Sequence, residues 1–313
     1  MSETLEKNSN FYYDQVKAAL FKMQVMAEAK RLMATEEFGE LQLPTGVTDA
    51  DPLPEDPAEL ITGILLSQGA TGIIGAKETG KSLVALEIQH SLITGMPLWG
   101  AIEPNVTVSN TVHFLGEHSS RTLMGLYNRT NLDKTGKLRI FGPEHLGPSK
   151  LLISNGIRRE SSVSFYKSIC EGAGLVVFDP LSAFIQGQAA ENDNSPMRNL
   201  VDTMIEISAS TGAACLILGH QGKPTMFQGR AVKRTSYATR GASSTEDALT
   251  AVHYMDKMVG VHFEKDEAFE LRPIHFKGLK SKPFQLIRDA ETCRHTLVTK
   301  YTDLISRRRS AGV

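Results

Sequence analysis

The spacing of apolar residues changes along the chain. From Phe11 to about Phe38, Val16, Leu20, Met23, Met26, Ala27 and Leu32 recur at near-helical intervals, which predicts an amphipathic helix. Pro44, Pro52, Pro54 and Pro57 then break the pattern, as in an extended linker. Beyond residue 60, short apolar runs are each followed by a longer mixed segment: Thr71 to Ile74, Thr111 to Leu115, Leu138 to Phe141, Leu175 to Phe178 and Ala214 to Leu218. Continuous apolar runs suit strands covered on both faces, and the segments between them are long enough for crossover helices. The pattern therefore predicts an α/β fold with a mostly parallel twisted sheet flanked by helices. After Val259 the runs Gly260 to Glu264, Phe269 to Phe276, Phe284 to Arg288 and His295 to Thr299 are shorter and alternate, which predicts antiparallel strands at the far edge of the sheet. The expected organisation is a helical arm with a Pro-rich linker over 1–60, one α/β domain over 61–305, and a basic tail over 306–313 carrying Arg307, Arg308 and Arg309.

Composition narrows this picture. With 41% hydrophobic and 22% charged residues over 313 positions, the chain can bury a sizeable core, which excludes a long disordered regulator. Lys plus Arg number 34 against 35 Asp plus Glu, a net charge of −1, so any nucleic-acid surface must be local. Residues 1–60 hold 12 acidic against 5 basic side chains. That acidic arm is read in two ways, as a solvated helix packed on its own core or as an arm that docks on a neighbouring subunit. Cys170, Cys215 and Cys293 have no CxxC or metal-type spacing and are odd in number, which fits a reducing compartment. No basic segment leads into an apolar run at the N-terminus, and no stretch approaches a membrane span. The expectation is a cytoplasmic protein with no membrane partner.

Chemistry enters at Gly75, Ala76, Lys77, Glu78, Thr79, Gly80, Lys81 and Ser82, which match GxxxxGK[ST] between an apolar strand and a helical run from Ser82 to Thr94. Glycines let backbone N–H groups converge on a β-phosphate, and the helix start, including Leu83, offers unpaired donors at its positive end. Lys81 reaches the β- and γ-phosphates, and the Ser82 hydroxyl ligates Mg²⁺. The expected ligands are ATP and Mg²⁺. A metal-holding carboxylate is also required, and the run Leu175, Val176, Val177, Phe178 into Asp179 supplies one at a buried strand end; the plainer reading of Asp179 is a helix cap. His220, ending the Ala214 to Leu218 run, faces the same crevice outside the strand ends and is a candidate γ-phosphate sensor.

These residues together resemble the RecA-type P-loop ATPases, and more narrowly the RepA-like hexameric replicative helicases of plasmids and phages. The likeness extends to the Gly95-Met96-Pro97-Leu98-Trp99-Gly100 turn, Gly116-Glu117 with Arg121, Asp179-Pro180-Leu181-Ser182, Glu191-Asn192-Asp193-Asn194, His220 with Lys223, and Arg240-Gly241-Ala242-Ser243. It covers roughly residues 60 to 290. His118 and Gly219 depart from that pattern, where an acid and a second histidine are usual. The resemblance implies a RecA-like core and a catalytic glutamate at Glu117, just past the strand after the P-loop helix; Pro180 leaves no Glu beside Asp179. It also implies a homo-oligomeric ring, likened to a hexamer, or a filament, with ATP between subunits. A neighbour would supply the cation that stabilises the transferring phosphate, with Arg240 and Lys280 as candidates.

Two loops of this family face single-stranded DNA. Phe184 to Met197 carries no Lys or Arg, whereas Gly222 to Arg240 carries Lys223, Arg230, Lys233, Arg234 and Arg240 with no acid, interleaved with Phe227 and Tyr237. Three functions remain open at this point: an ATP-driven motor on single-stranded DNA, a short recombination or annealing ATPase that uses ATP to control assembly on DNA, and a KaiC-like regulatory ATPase that binds protein partners.

Overall fold

A computed structural model describes residues 58–187, 194–221, 226–227, 230–231, 243–258, 266–276 and 282–298. The predicted N-terminal helix, its linker up to residue 57, the run Gly260 to Glu264 and the basic tail lie outside the described residues.

The chain enters with a small antiparallel pair, β1 (Glu59–Ile61) and β2 (Leu65–Leu66). There follow β3 (Ala70–Gly75), α1 (Lys81–Thr94), β4 (Thr111–Leu115), α2 (Ser120–Arg129), β5 (Leu138–Phe141) and the single turn α3 (Pro143–Leu146). A 3-10 turn at Gly147–Lys150 leads to β6 (Ile153–Ser154) and β7 (Ile157–Arg158), then α4 (Glu160–Cys170) and β8 (Leu175–Asp179). After β9 (Ile185–Gln186) come α5 (Asn194–Ser210), β10 (Ala214–His220) and the short pair β11 (Met226–Phe227) and β12 (Arg230–Ala231). The chain ends in α6 (Ser243–Asp247), β13 (Ala251–Lys257), β14 (Glu267–Phe276), β15 (Phe284–Arg288) and β16 (His295–Leu297).

Nine strands form the central sheet in the order β16-β15-β14-β13-β3-β10-β8-β4-β5. Pairing is parallel from β13 through β3, β10, β8 and β4 to β5, and antiparallel from β13 to β16. Sequence periodicity anticipated this arrangement except for β13. That strand runs in parallel beside β3, yet His253, Tyr254 and Asp256 interrupt its apolar pattern. His253 is buried and its Nε2 lies 2.9 Å from the Ile64 carbonyl.

Alternation along each strand sends side chains to two apolar layers. Val176, Phe178, Cys215 and Ile217 pack under α4 and α5 with Tyr166, Leu200 and Met204. Leu175, Val177, Leu216 and Leu218 pack under α1 with Val84, Ile88 and Leu92. Helix α1 is buried nearly all round, so its polar residues must find partners inside. Glu87 accepts hydrogen bonds from Trp99 Nε1 at 2.9 Å and from the His295 backbone N–H at 2.7 Å, and His295 Nδ1 lies 2.8 Å from it. These contacts tie the P-loop helix to the last strand. No helix among the described residues is long and apolar enough to cross a membrane.

Candidate active site

Parallel register brings the strand ends together. His220 is the Cα partner of Gly75, and Asp179 is the partner of Leu115. The chain therefore leaves β3, β10, β8 and β4 at one edge of the sheet, where a crevice opens. A cavity of about 760 Å³ fills it. Lys77, Glu78, Gly80, Lys81, Ser82 and Leu83 line it together with Glu117, Asp179 and His220. The structure thus gathers most of the sequence-derived candidates around one cavity. Gly75 and Ala76 enter through their carbonyls, and Thr79 Oγ1 donates to the Ala76 carbonyl at 3.0 Å.

Two backbone positions shape the P-loop. Gly80 has φ 90°, which an L side chain rarely adopts, and a Cβ there would stand 3.0 Å from an Arg288 guanidinium nitrogen. The first helical hydrogen bond of α1 runs from the Val84 N–H to the Gly80 carbonyl at 3.0 Å, and no side chain caps the helix. The amides of Lys81, Ser82 and Leu83 consequently have no partner within α1, and they stand at the positive end of its dipole.

Lys81 Nζ donates to the carbonyls of Gly75 at 3.0 Å and Ala76 at 2.7 Å, so its ammonium is parked over the loop. Burial pulls its pKa down to about 8, against the opposing charges of Asp179 and Glu117. Asp179 is buried at the end of β8, and burial by itself opposes its ionisation. Hydrogen bonding and charge from His113, a hydrogen bond with Ser82 and the charge of Lys81 outweigh that effect and hold the carboxyl below its ordinary value. His113 Nε2 stands 3.5 Å from Asp179 Oδ2, while its Nδ1 lies 2.8 Å from Gln89 Oε1. Gln89 Nε2 in turn donates to Thr111 Oγ1 at 3.0 Å. His113, Gln89 and Thr111 are all fully buried, so this chain of polar contacts fixes the back of Asp179 from inside the core.

Glu117 and His220 face each other at the mouth, with His220 Nε2 3.9 Å from Glu117 Oε2. The Glu117 side chain keeps 41% of its surface exposed, against 17% for His220. Burial and the Lys81 charge lower the His220 pKa, and Glu117 and Asp179 pull the other way.

An ionised Asp179 hydrogen-bonded to the Ser82 hydroxyl is a pair of hard oxygen donors beside the loop, which suits Mg²⁺ arriving with a phosphate. Among the described residues, no cluster of three or more His, Cys, Asp or Glu could hold an ion unaided.

Sequence reasoning missed several groups at this cavity. Arg129 from the end of α2, Glu267 and Arg288 from the antiparallel strands, and Asp289, Ala290 and Cys293 from the β15–β16 turn all line it. Arg288 pairs with Glu267, and its guanidinium carbon lies 4.7 Å over the Phe269 ring. His113, behind Asp179, was missed as well, although it had a local signal as a polar residue inside an otherwise apolar strand. Lys223, Lys233, Arg234, Arg240 and Lys280 lie outside the described residues. Arg230 is described in its backbone alone, as part of β12.

A family model described as an AAA domain matches residues 36–226. No curated protein sequence matches the chain. Among solved structures, the chain is similar to the ATPase domain of a helicase with a TM-score of 0.53 at 9% identity, over 74% of this chain and 85% of that one. It is also similar to a KaiC-like protein from the hyperthermophilic archaeon Pyrococcus horikoshii OT3, with a TM-score of 0.49 at 12% identity over 78% and 100%. At such low identity the first likeness shows a shared fold, the RecA-like P-loop ATPase core.

Proposed function

The chain belongs to the AAA domain family and is a P-loop ATPase, and from that premise we propose that it is an oligomeric motor acting on single-stranded DNA, of the kind that drives replicative helicases. The observation that carries the reading is the convergence of Lys81, Ser82, Asp179, Glu117 and His220 on one crevice. This set contains a cation for the phosphates, oxygens for a metal, a base for water and a polar group beside it.

In this reading the free amides at the start of α1 bind the β-phosphate. Lys81 leaves its two loop carbonyls for the β- and γ-phosphates. Ser82 and Asp179 hold Mg²⁺, which supplies charge neutralisation on the phosphate oxygens. Asp179 is kept ionised and in place by His113. Glu117 takes the proton from the attacking water, and His220, close to Glu117, senses the γ-phosphate. The exposed side of Glu117 is the side that a neighbouring protomer would close, bringing Arg240 or Lys280 as the cation in trans. Lys223, Arg230, Lys233 and Arg234 would contact the DNA backbone. The fold that this chain shares with a helicase ATPase domain supports an ATP-driven motor.

The test is ATP hydrolysis by the full chain with and without single-stranded DNA at low salt. Stimulation by DNA, together with closed rings in electron micrographs, is the expected outcome. Hydrolysis indifferent to DNA contradicts the motor.

A further inference from the structure

Glu117 borders two spaces. Besides the nucleotide cavity, Gly116 and Glu117 line a second cleft of about 740 Å³, whose other walls include Lys150, Arg159 and residues from Ser182 to Gln186. Lys150 and Arg159 are both half-buried, and Glu117 is the one acidic residue among the cleft's described lining residues. Lys150 Nζ donates to the Gly116 carbonyl at 3.0 Å, and the Arg159 guanidinium donates to the Pro148 carbonyl at 2.9 Å. Each bond uses one donor of a group that has three or five, so both cations are held over the cleft with N–H groups to spare.

Gly116 is the junction between the two spaces. Its N–H donates to the Asp179 carbonyl at 2.8 Å, and its carbonyl accepts from Lys150. A Cβ at this position would lie 2.1 Å from the Ala183 Cβ, so the segment after Asp179 packs directly on the Gly116 backbone. A ligand that moves Lys150 or the 182–186 segment therefore moves the residue next to Glu117.

We propose that this cleft takes the phosphate backbone of single-stranded DNA, and that a phosphate drawing Lys150 off the Gly116 carbonyl couples DNA binding to Glu117. The inference rests on the motor reading and names a contact for its DNA. Two cations against one acid, in a chain of net charge −1, match a polyanion. A charge-assisted bond from lysine to phosphate is roughly twice as strong as one to a neutral carbonyl, so the exchange runs towards the phosphate. The cleft also opens at the start of the Phe184 to Met197 segment, and it is continuous with the hydrolytic site through Glu117.

The experiment measures labelled oligo(dT) binding by anisotropy across a salt series, with a non-hydrolysable ATP analogue, alongside hydrolysis with and without the oligonucleotide and oligomer mass. The unsubstituted chain binds DNA and is stimulated by it; without that stimulation the motor reading itself fails before any variant is consulted. Lys150→Met and Arg159→Gln each weaken oligo(dT) binding by about 5- to 10-fold and flatten the log-log salt slope by about 0.7. Lys150→Met also brings the fold-stimulation towards one, whereas Lys150→Arg, which keeps the donor, retains it. If the unsubstituted chain is stimulated and both variants keep its DNA affinity and salt slope, the cleft is not a DNA site. If instead the variants bind DNA normally as protomers but assemble poorly, the cleft is a subunit contact; either result overturns the proposal while the motor stands.

Discussion

The two halves of the central sheet are built by different rules. In the parallel half, β3, β4 and β8 are buried along their whole length, and their carboxyl ends emerge at one edge with their register aligned. The antiparallel half is only partly buried along β15 and carries charged pairs, Arg272 with Asp256 and Glu267 with both Lys257 and Arg288. Parallel neighbours present all their carboxyl ends on one side, so loops bearing Lys81, Glu117, Asp179 and His220 converge there. Antiparallel neighbours point in opposite directions and cannot do so. They contribute a side wall, Glu267, Arg288 and the Asp289 to Cys293 turn. The comparison assigns phosphate chemistry to one half of the sheet and shaping of the cavity to the other.

The largest effect expected from that division is at the mouth of the parallel half. Glu117→Gln lowers ATP hydrolysis by about 10²- to 10⁴-fold while nucleotide binding persists, as single-turnover kinetics beside calorimetry would show. A variant that hydrolyses normally would place the base elsewhere.

The joint between the halves is tested by Glu87→Leu. It leaves the indole N–H of Trp99 and the backbone N–H of His295 buried without their acceptor. Destabilisation of about 3 kcal/mol in urea unfolding is expected. A cost under about 1 kcal/mol would mean that β16 is not anchored to the P-loop helix through this carboxylate.

Arg288→Ala probes the side wall directly. Removing this cation from beside Gly80 lowers ATP affinity by about 3- to 10-fold, with kcat within about twofold, because the group contributes charge and shape and no proton transfer. A fall in kcat at unchanged affinity would bring the antiparallel edge into the chemistry and dissolve the division.

The smallest effect lies away from both halves, where Glu206 of α5 meets Arg158 and Lys167. Hydrogen bonding from Arg158, aided by Lys167, holds its pKa down to about 2 from 4.5. A depressed carboxylate pKa adds stability that is present above pH 4.5 and disappears as the pH falls through 2. The side chain is 41% exposed, so screening limits the contribution to less than about 1 kcal/mol. Glu206→Gln should lose that amount at pH 7 and nothing at pH 2, measured by thermal unfolding across pH.

What the sequence made legible follows the same division. Runs such as Leu175 to Phe178 read directly as strands because both faces are covered, and the P-loop reads directly because strand, glycine turn and helix are contiguous in the chain. Strand β13 was not legible, since His253 and Asp256 break its apolar run and His253 meets a carbonyl 189 residues earlier in sequence. Arg129 and Arg288 reach the cavity only through the packing of α2 and the register of β15, which no local pattern encodes. The buried path from Thr111 through Gln89 and His113 to Asp179 joins three elements, and sequence spacing alone gave no reason to connect them.

The central claim is that a magnesium-bound triphosphate is held where β3 turns into α1. Isothermal calorimetry with a non-hydrolysable ATP analogue, with and without Mg²⁺, tests it most directly. The expected result is binding that tightens with Mg²⁺ in the unsubstituted chain and weakens by about 100-fold or more in Lys81→Ala, through loss of a charge-assisted phosphate contact at a buried site. Equal heats in both chains, or binding indifferent to Mg²⁺, would contradict it.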